Sequence, residues 1–151
     1  MSTSVKGLDD FHGLVGQHLG FSPWQTVTQE QVDLFADATG DHQWIHVDPE
    51  RATAGPFGGP IAHGYLTLSL APVLLAQVLH VDGVSMGVNY GCNRVRFVSP
   101  VPVGKELRCG ATVASVDDFE GGIQVTLDLT MEVRDAPKPA CVAQVVFRYY
   151  R

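Results

Sequence analysis

Apolar and polar residues alternate strictly over residues 123–134, which is the clearest pattern in the chain. Apolar side chains occupy the odd positions and polar side chains the even ones. The segment therefore predicts a β-strand with one face in the core and the other in solvent. Gly121 and Gly122 come directly before it and indicate a turn from another strand around residues 106–116.

Other segments in the second half of the chain also have strand character. Residues 85–90 and 93–98 predict two separate strands, and residues 141–150 predict the last strand of the sheet. The proline-containing stretch 135–139 predicts the turn before that last strand. The chain predicts four or five antiparallel strands after its helices. One further strand is compatible with the pattern before them.

Two helices are predicted before these strands. Thr28 can cap the first helix, Gln31 can complete a capping box, and Gly40 ends it. The second covers residues 61–79 and is apolar on nearly every face, so other elements must surround it. Between the helices lies a predicted loop over residues 41–60, and a loop of that length in a small domain is often functional.

The order of these elements favours an α+β fold. One antiparallel sheet that curls around a single long buried helix would cover both the one-sided strands and the apolar helix. This arrangement is called the hot-dog fold. Because no repeat or linker divides the chain, residues 1–151 are expected to form a single domain.

Composition excludes several classes of function. Hydrophobic residues make up 45% of the chain and charged residues 17%, which is typical of a globular domain and not of a disordered chain. The net charge is −6 and no run of Lys or Arg occurs, so no nucleic-acid partner is expected. Three widely spaced cysteines, and an N-terminus without a signal-peptide pattern, favour a cytoplasmic protein. The apolar stretch 61–79 contains His63, Gly64 and Pro72, which favours a buried helix over a membrane span.

Asp41 and His46 form the pair of residues best suited to chemistry. They stand five positions apart at the start of the long loop, where both could reach one water molecule. A carboxylate and an imidazole are suited to proton transfer near neutral pH. A structural interpretation, with Asp41 capping a turn and His46 half-buried, is the alternative that the residues alone leave open.

The start of the apolar helix is a second candidate feature. Its free backbone amides could hold an anion or a developing oxyanion, and Gly64 would let a ligand carbonyl approach its N–H closely. Gly64 could equally give the helix room against the sheet, and His63 could simply bond to backbone. A third interpretation is a metal centre, because His42, His46 and Asp48, with His63, match the ligand types of non-haem iron sites.

Three segments of the chain resemble those of the MaoC-like dehydratases and (R)-specific enoyl-CoA hydratases. They are residues 35–46 (FADATGDHQWIH), 60–64 (PIAHG) and 96–104 (RFVSPVPVG), in the order of that family. Two departures stand out. Gln43-Trp44 replaces the commoner Asn-Pro and resembles nodulation protein N-like members, and Pro72 occupies the position of a serine present in some short-chain hydratases.

The resemblance implies reversible syn addition of water to a trans-2-enoyl-CoA thioester, giving an (R)-3-hydroxyacyl thioester, in fatty-acid metabolism. Asp41 and His46 would be the acid–base pair, and the Gly64 amide would stabilise the charge that develops on the thioester oxygen. No metal or organic cofactor is implied, since the thioester is the electron sink. The acyl group would be carried by CoA or an acyl carrier protein, and the enzyme would be a homodimer with sheets joined edge to edge.

Further residues are candidates for substrate binding. Those expected near the acyl thioester are Gln43, Trp44, Phe57, His63, Tyr65, Leu66 and Met86, and those expected at its anionic nucleotide are Arg94, Arg96 and Lys105. Two other functions stay open. One is a hot-dog acyl-CoA thioesterase, which the lack of Asp and Glu over residues 61–79 disfavours. The other is a non-catalytic acyl-thioester binding protein, which only turnover would exclude.

Overall fold

The computed structural model describes residues 2–151. Its helices are a short 3-10 helix (Leu8–Leu14), α1 (Gln29–Thr39), α2 (Trp44–Val47), α3 (Pro49–Thr53), α4 (Gly64–Ser69) and α5 (Ala71–Leu75). Its strands are β1 (Thr3–Val5), β2 (His18–Phe21), β3 (Gln25–Thr26), β4 (Leu79–Val81), β5 (Met86–Phe97), β6 (Glu106–Phe119), β7 (Gly122–Val133) and β8 (Cys141–Tyr150).

One antiparallel sheet dominates the fold. Strands β2, β6, β7, β8 and β5 lie side by side in that order, and β3 also pairs with β6. The turn between β6 and β7 contains Gly121 with φ 95°, a conformation that glycine adopts without strain. Buried residues of α4 and α5 join those of β6, β7 and β8 in one core. The predicted α+β hot-dog fold is thereby confirmed.

Strand β5 replaces the two strands predicted over residues 85–90 and 93–98. It pairs with β8 along its length, with register shifts between Asn89 and Gly91 and between Cys92 and Arg94. Such shifts disturb the two-residue period of a strand without ending its pairing. The prediction of two strands is wrong because the pairing continues through both irregularities.

The helix cap at Thr28 is confirmed, whereas the two predictions that follow it need correction. The Thr28 hydroxyl accepts a hydrogen bond from the Gln31 backbone amide at 3.2 Å, and Gly40 ends α1 with φ 83°. The predicted capping box is incomplete, because the side-chain oxygen of Gln31 has no hydrogen-bond partner among the described residues. The predicted loop over residues 41–60 contains the short helices α2 and α3. The predicted long helix over 61–79 is shorter and divided, because Pro72 has no N–H to bond the Leu68 carbonyl.

The central helices are also less buried than the sequence predicts. Leu66, Leu74 and Leu75 lie in the core, but Tyr65 is 70% exposed and Val73 is 49% exposed. The expectation that this segment is buried on every side is therefore wrong for this chain taken alone. Among residues 2–151, no helix is long and apolar enough to cross a membrane.

Candidate active site

The turn after α1 brings Asp41 and His46 to the same place. Gly40 ends the helix in a left-handed conformation, and the Asp41 carboxylate accepts a hydrogen bond from the Gln43 amide at 3.4 Å. This short turn leads directly into α2, which carries His46. The side chain of His46 is buried, at 7% exposure, whereas Asp41 is exposed. The pair therefore lies at the boundary between the protein interior and solvent.

The tautomer of His46 follows from its hydrogen bond. Its Nδ1 lies 2.7 Å from the Ile61 carbonyl oxygen, which can only accept, so Nδ1 carries the proton and Nε2 keeps a lone pair. Burial lowers the pKa of His46 from its ordinary value of 6.5, and the nearby His63 lowers it too. The bond to Ile61 and the charge of Asp41 act in the opposite direction. The His46 imidazole is therefore mainly neutral at pH 7.

His63 contacts both members of this pair. Its Nε2 donates a hydrogen bond to the backbone carbonyl of Asp41 at 2.9 Å, and its ring stacks on that of His46 with centroids 3.9 Å apart. Its Nδ1 is buried without a hydrogen-bond partner among the described residues. His63 thus fixes both the backbone that carries Asp41 and the ring of His46.

Asp41, His46 and His63 form a tight cluster. One carboxylate oxygen and one ring nitrogen from each histidine lie within 4.8 Å of one another. These donor types could bind a metal ion. However, each histidine already has one nitrogen bonded to a backbone carbonyl, as His46 is to Ile61 and His63 to Asp41.

The metal centre considered from the sequence does not assemble. His42 instead pairs with Asp37 at 2.8 Å on the surface, and this partner raises the pKa of His42. Asp48 caps α3 by accepting a hydrogen bond from the Arg51 amide at 3.0 Å. Of that proposed ligand set only His46 and His63 come together, and the carboxylate beside them belongs to Asp41.

Gly64 is the first residue of α4, and its amide makes no hydrogen bond within the described part of the chain. The position excludes a side chain, because a Cβ would lie 2.9 Å from Cγ and Cδ2 of the Phe97 ring. This contact gives the glycine a packing role, and the free N–H beside it is available to a ligand.

A cavity of about 300 Å³ opens beside these groups. The predicted residues His46, Phe57 and Gly64 line it. The rest of its wall comes from residues that were not predicted to bind a ligand, namely Ile61, Ala62, Thr67, Phe97, Val98, Ser99, Pro100, Val101 and Ala140. Most of them lie in the segments 60–64 and 96–104, whose resemblance to the family is the only sequence signal for this wall.

Some predicted binding residues lie next to the site without lining the cavity. Trp44 packs on Gly55 and lies 4.4 Å beneath the Arg51 guanidinium. Tyr65 points outward and meets the Phe97 ring edge-on, whereas Leu66 is buried in the core. Gln43 is the N-cap residue of α2.

The candidates on β5 are farther away. Met86 begins the strand and Phe97 ends it, a separation of roughly 35 Å at the usual rise per residue. Arg94 and Arg96 are exposed on this strand, and neither forms an ion pair in the described structure. None of these three residues lines the cavity.

The fold and the site define a hot-dog protein with a carboxylate–imidazole pair at an apolar cavity. The MaoC-like domain model matches residues 10–134. The 3-hydroxyacyl-thioester dehydratase Z of Mycobacterium tuberculosis is 54% identical over 147 residues, which cover 97% of each chain. The chain therefore belongs to the MaoC-like family.

Two further relatives agree with this assignment. Nodulation protein N of Rhizobium leguminosarum bv. viciae is 47% identical over 140 residues, covering 90% of this chain and 86% of that protein. The solved (R)-hydratase from A. caviae involved in PHA biosynthesis has a TM-score of 0.72 at 25% identity, covering 88% of this chain and 94% of that one. The expected likeness to nodulation protein N-like members is confirmed.

Proposed function

We propose that this protein is an (R)-specific hydratase of trans-2-enoyl thioesters, or in reverse a 3-hydroxyacyl-thioester dehydratase, acting in fatty-acid metabolism. The observation that carries the proposal is the cluster of Asp41 and His46, of which His46 lines the cavity together with Gly64. An acid–base pair, a free amide and an apolar chamber are the parts that this reaction needs.

The pair can activate one water molecule. A neutral His46 offers its Nε2 lone pair and Asp41 offers a carboxylate oxygen, so both accept hydrogen bonds from the same water. As the water oxygen attacks the β-carbon, one of its protons passes to this pair. The same proton is then delivered to the α-carbon on the same face, so the addition is syn and the pair returns to its starting state.

The negative charge that develops on the thioester oxygen needs a donor. The Gly64 amide, which is unpaired among the described residues, would be that donor, since Gly64 lines the cavity. Loss of one such donor in other enzymes costs about 100- to 1000-fold in rate. No metal enters this scheme, because the conjugated thioester itself accepts the electron pair.

Product analysis tests the proposed reaction. The protein is incubated with crotonyl-CoA in buffer containing EDTA, and the products are read by mass spectrometry. Addition of one water supports a hydratase, release of free CoA would indicate a thioesterase, and unchanged substrate would indicate a binding protein. Asp41→Asn is the matched control. Because Asp41 is exposed, this variant should keep its fold while losing roughly 100- to 10,000-fold in rate.

We also propose that the protein is a homodimer that pairs through β5. This strand lies at one edge of the sheet and has β8 as its only neighbour in the described chain. Long open edges are normally covered in folded proteins. Large apolar side chains are exposed along and just beyond it, namely Met86, Tyr90, Phe97 and Val98. A second copy would cover this edge and the exposed Tyr65 ring that contacts Phe97.

A cytoplasmic location is part of the proposal. All three cysteines are free, and Cys109 and Cys141 are buried as thiols in the core. Burial raises the pKa of Cys109 to about 12 and that of Cys141 to about 11, so both stay protonated and unreactive. Unpaired cysteines of this kind are typical of a reducing compartment.

A further inference from the structure

A second groove of about 300 Å³ lies next to the active-site cavity. The two share Ser99 and Pro100 as a common wall. Unlike the cavity, the groove is bordered by cations, since Lys105, Arg134 and Lys138 all line it. A molecule with its apolar end in the cavity would reach this positively charged surface by crossing Ser99 and Pro100.

The two lysines are the cations available to a ligand. Arg134 already pairs with Glu106, whereas Lys105 and Lys138 are exposed and form no ion pair among the described residues. The chain contains only three lysines, so two of the three border this groove. Asp135 is the one carboxylate that lines it, which leaves the groove positive on a chain of net charge −6.

The shape of this surface suits a ligand larger than a single phosphate. Pro100, Pro102 and Pro137 make much of its wall rigid. A further pocket of about 270 Å³ shares Lys138 and four other lining residues with the groove, and it also contains Trp24 and the Arg108–Glu132 ion pair. Room past the lysines favours a nucleotide as the terminal group.

We infer that Lys105 and Lys138 bind the phosphate groups of coenzyme A while its acyl end occupies the cavity beside His46. This inference rests on the proposed function, because it takes the substrate to be an acyl thioester. It moves the anion site away from Arg94 and Arg96, which lie on the exposed edge strand and line neither the cavity nor the groove.

Charge reversal tests this assignment. The double variant Lys105→Glu/Lys138→Glu is compared with Lys6→Glu, which reverses the third lysine on the exposed N-terminal segment. Hydrogen bonds to charged groups are strong enough that KM for crotonyl-CoA should rise at least about 10-fold in the double variant, with kcat little changed. Crotonyl-N-acetylcysteamine, which has the thioester and no phosphate, should be hydrated equally well by all three proteins.

A binding experiment separates this inference from the proposed reaction. Calorimetry with adenosine 3′,5′-bisphosphate should show binding to the wild-type protein and to Lys6→Glu, and loss of binding in the double variant. Nucleotide binding that depends on the lysines, without turnover of crotonyl-CoA, would refute the hydratase and support the groove. The groove assignment would be overturned if the double variant turned over crotonyl-CoA with an unchanged KM. It would also be overturned if the double variant lost as much activity with the phosphate-free thioester as with crotonyl-CoA.

Discussion

Two substitutions of His46 should separate its role in folding from its role in chemistry. In His46→Asn, the side-chain amide can stand where Nδ1 stands and still donate to the Ile61 carbonyl, but nothing replaces Nε2. In His46→Gln, the longer amide reaches toward the position of Nε2 but leaves the Ile61 carbonyl without its donor. The bond at stake is 2.7 Å long and buried.

The expected magnitudes follow from these contacts. Both variants lose a positioned base, which costs about 100- to 10,000-fold in kcat/KM. Only His46→Gln leaves a buried carbonyl unsatisfied, at roughly 1–3 kcal/mol. For a chain of this size, each 1 kcal/mol lowers the melting temperature by about 2–4 °C. His46→Gln should therefore melt about 2–12 °C below His46→Asn.

The assays are hydration of crotonyl-CoA, followed by loss of enoyl-thioester absorbance, and calorimetric unfolding. Near-normal turnover in either variant would refute His46 as the base. Equal melting temperatures would refute the proton on Nδ1, and with it the assignment of the free lone pair to Nε2.

The pH dependence gives the same prediction a second readout. Because burial lowers the pKa of folded His46 below 6.5, the unfolded chain binds a proton that the folded chain does not as pH falls below that value. His46 should therefore lower the free energy of unfolding as the pH falls from about 6.5 toward the folded pKa, and His46→Asn should lack this contribution. The kcat/KM of the wild-type protein should fall on the acid side, as protonation removes the Nε2 lone pair. An identical stability slope in both proteins would contradict the lowered pKa.

Two predictions concern the cavity mouth and the sheet edge. Gly64→Ala should lower kcat/KM about 10-fold or more, because the added methyl, 2.9 Å from Phe97, forces that ring to move beside the donor amide. The control is Gly59→Ala, whose methyl meets nothing within 4 Å, and it should have the kinetics of the wild-type protein. Unchanged kinetics in Gly64→Ala would argue against a rate that depends on the packing of Phe97 beside the Gly64 amide. In light scattering, the protein should have twice the 16.3 kDa mass of one chain. A single-chain mass would exclude pairing through β5.

Local patterns predict the parts of this fold that depend on neighbouring residues. The alternation over residues 123–134 matches β7, and Thr28 caps α1 as expected, because both features are set within a few residues. The apolar pattern predicts a longer central helix than the structure has, although Pro72 lies within the predicted range. Apolar composition alone does not distinguish one long helix from two short ones separated by a proline.

The site was predictable only in part for a similar reason. Asp41 and His46 are close in sequence, so a single turn brings them together. The stacking of His63 on His46 and the hydrogen bond that His46 donates to the Ile61 carbonyl depend on how α2 packs against the segment before α4, which no local pattern encodes. Met86 was expected near the acyl thioester but lies at the far end of β5 from Phe97. The length of β5 is set by its pairing with β8, which continues through two irregularities.

The separation between cavity and groove has an electrostatic reason. A CoA thioester is apolar at its acyl end and strongly anionic at its nucleotide end. Lysines placed beside His46 would further disfavour the protonated form of its imidazole, and they would compete with the water molecule for the Asp41 carboxylate. Phosphate groups placed beside Asp41 would be repelled by the charge of that carboxylate. Placing Lys105 and Lys138 beyond Ser99 and Pro100 keeps the lysines and the phosphates out of the cavity that lowers the pKa of His46. For the proposed substrate, the low charge of the cavity and the positive charge of the groove are thus two requirements of one molecule, met by two pockets that share Ser99 and Pro100.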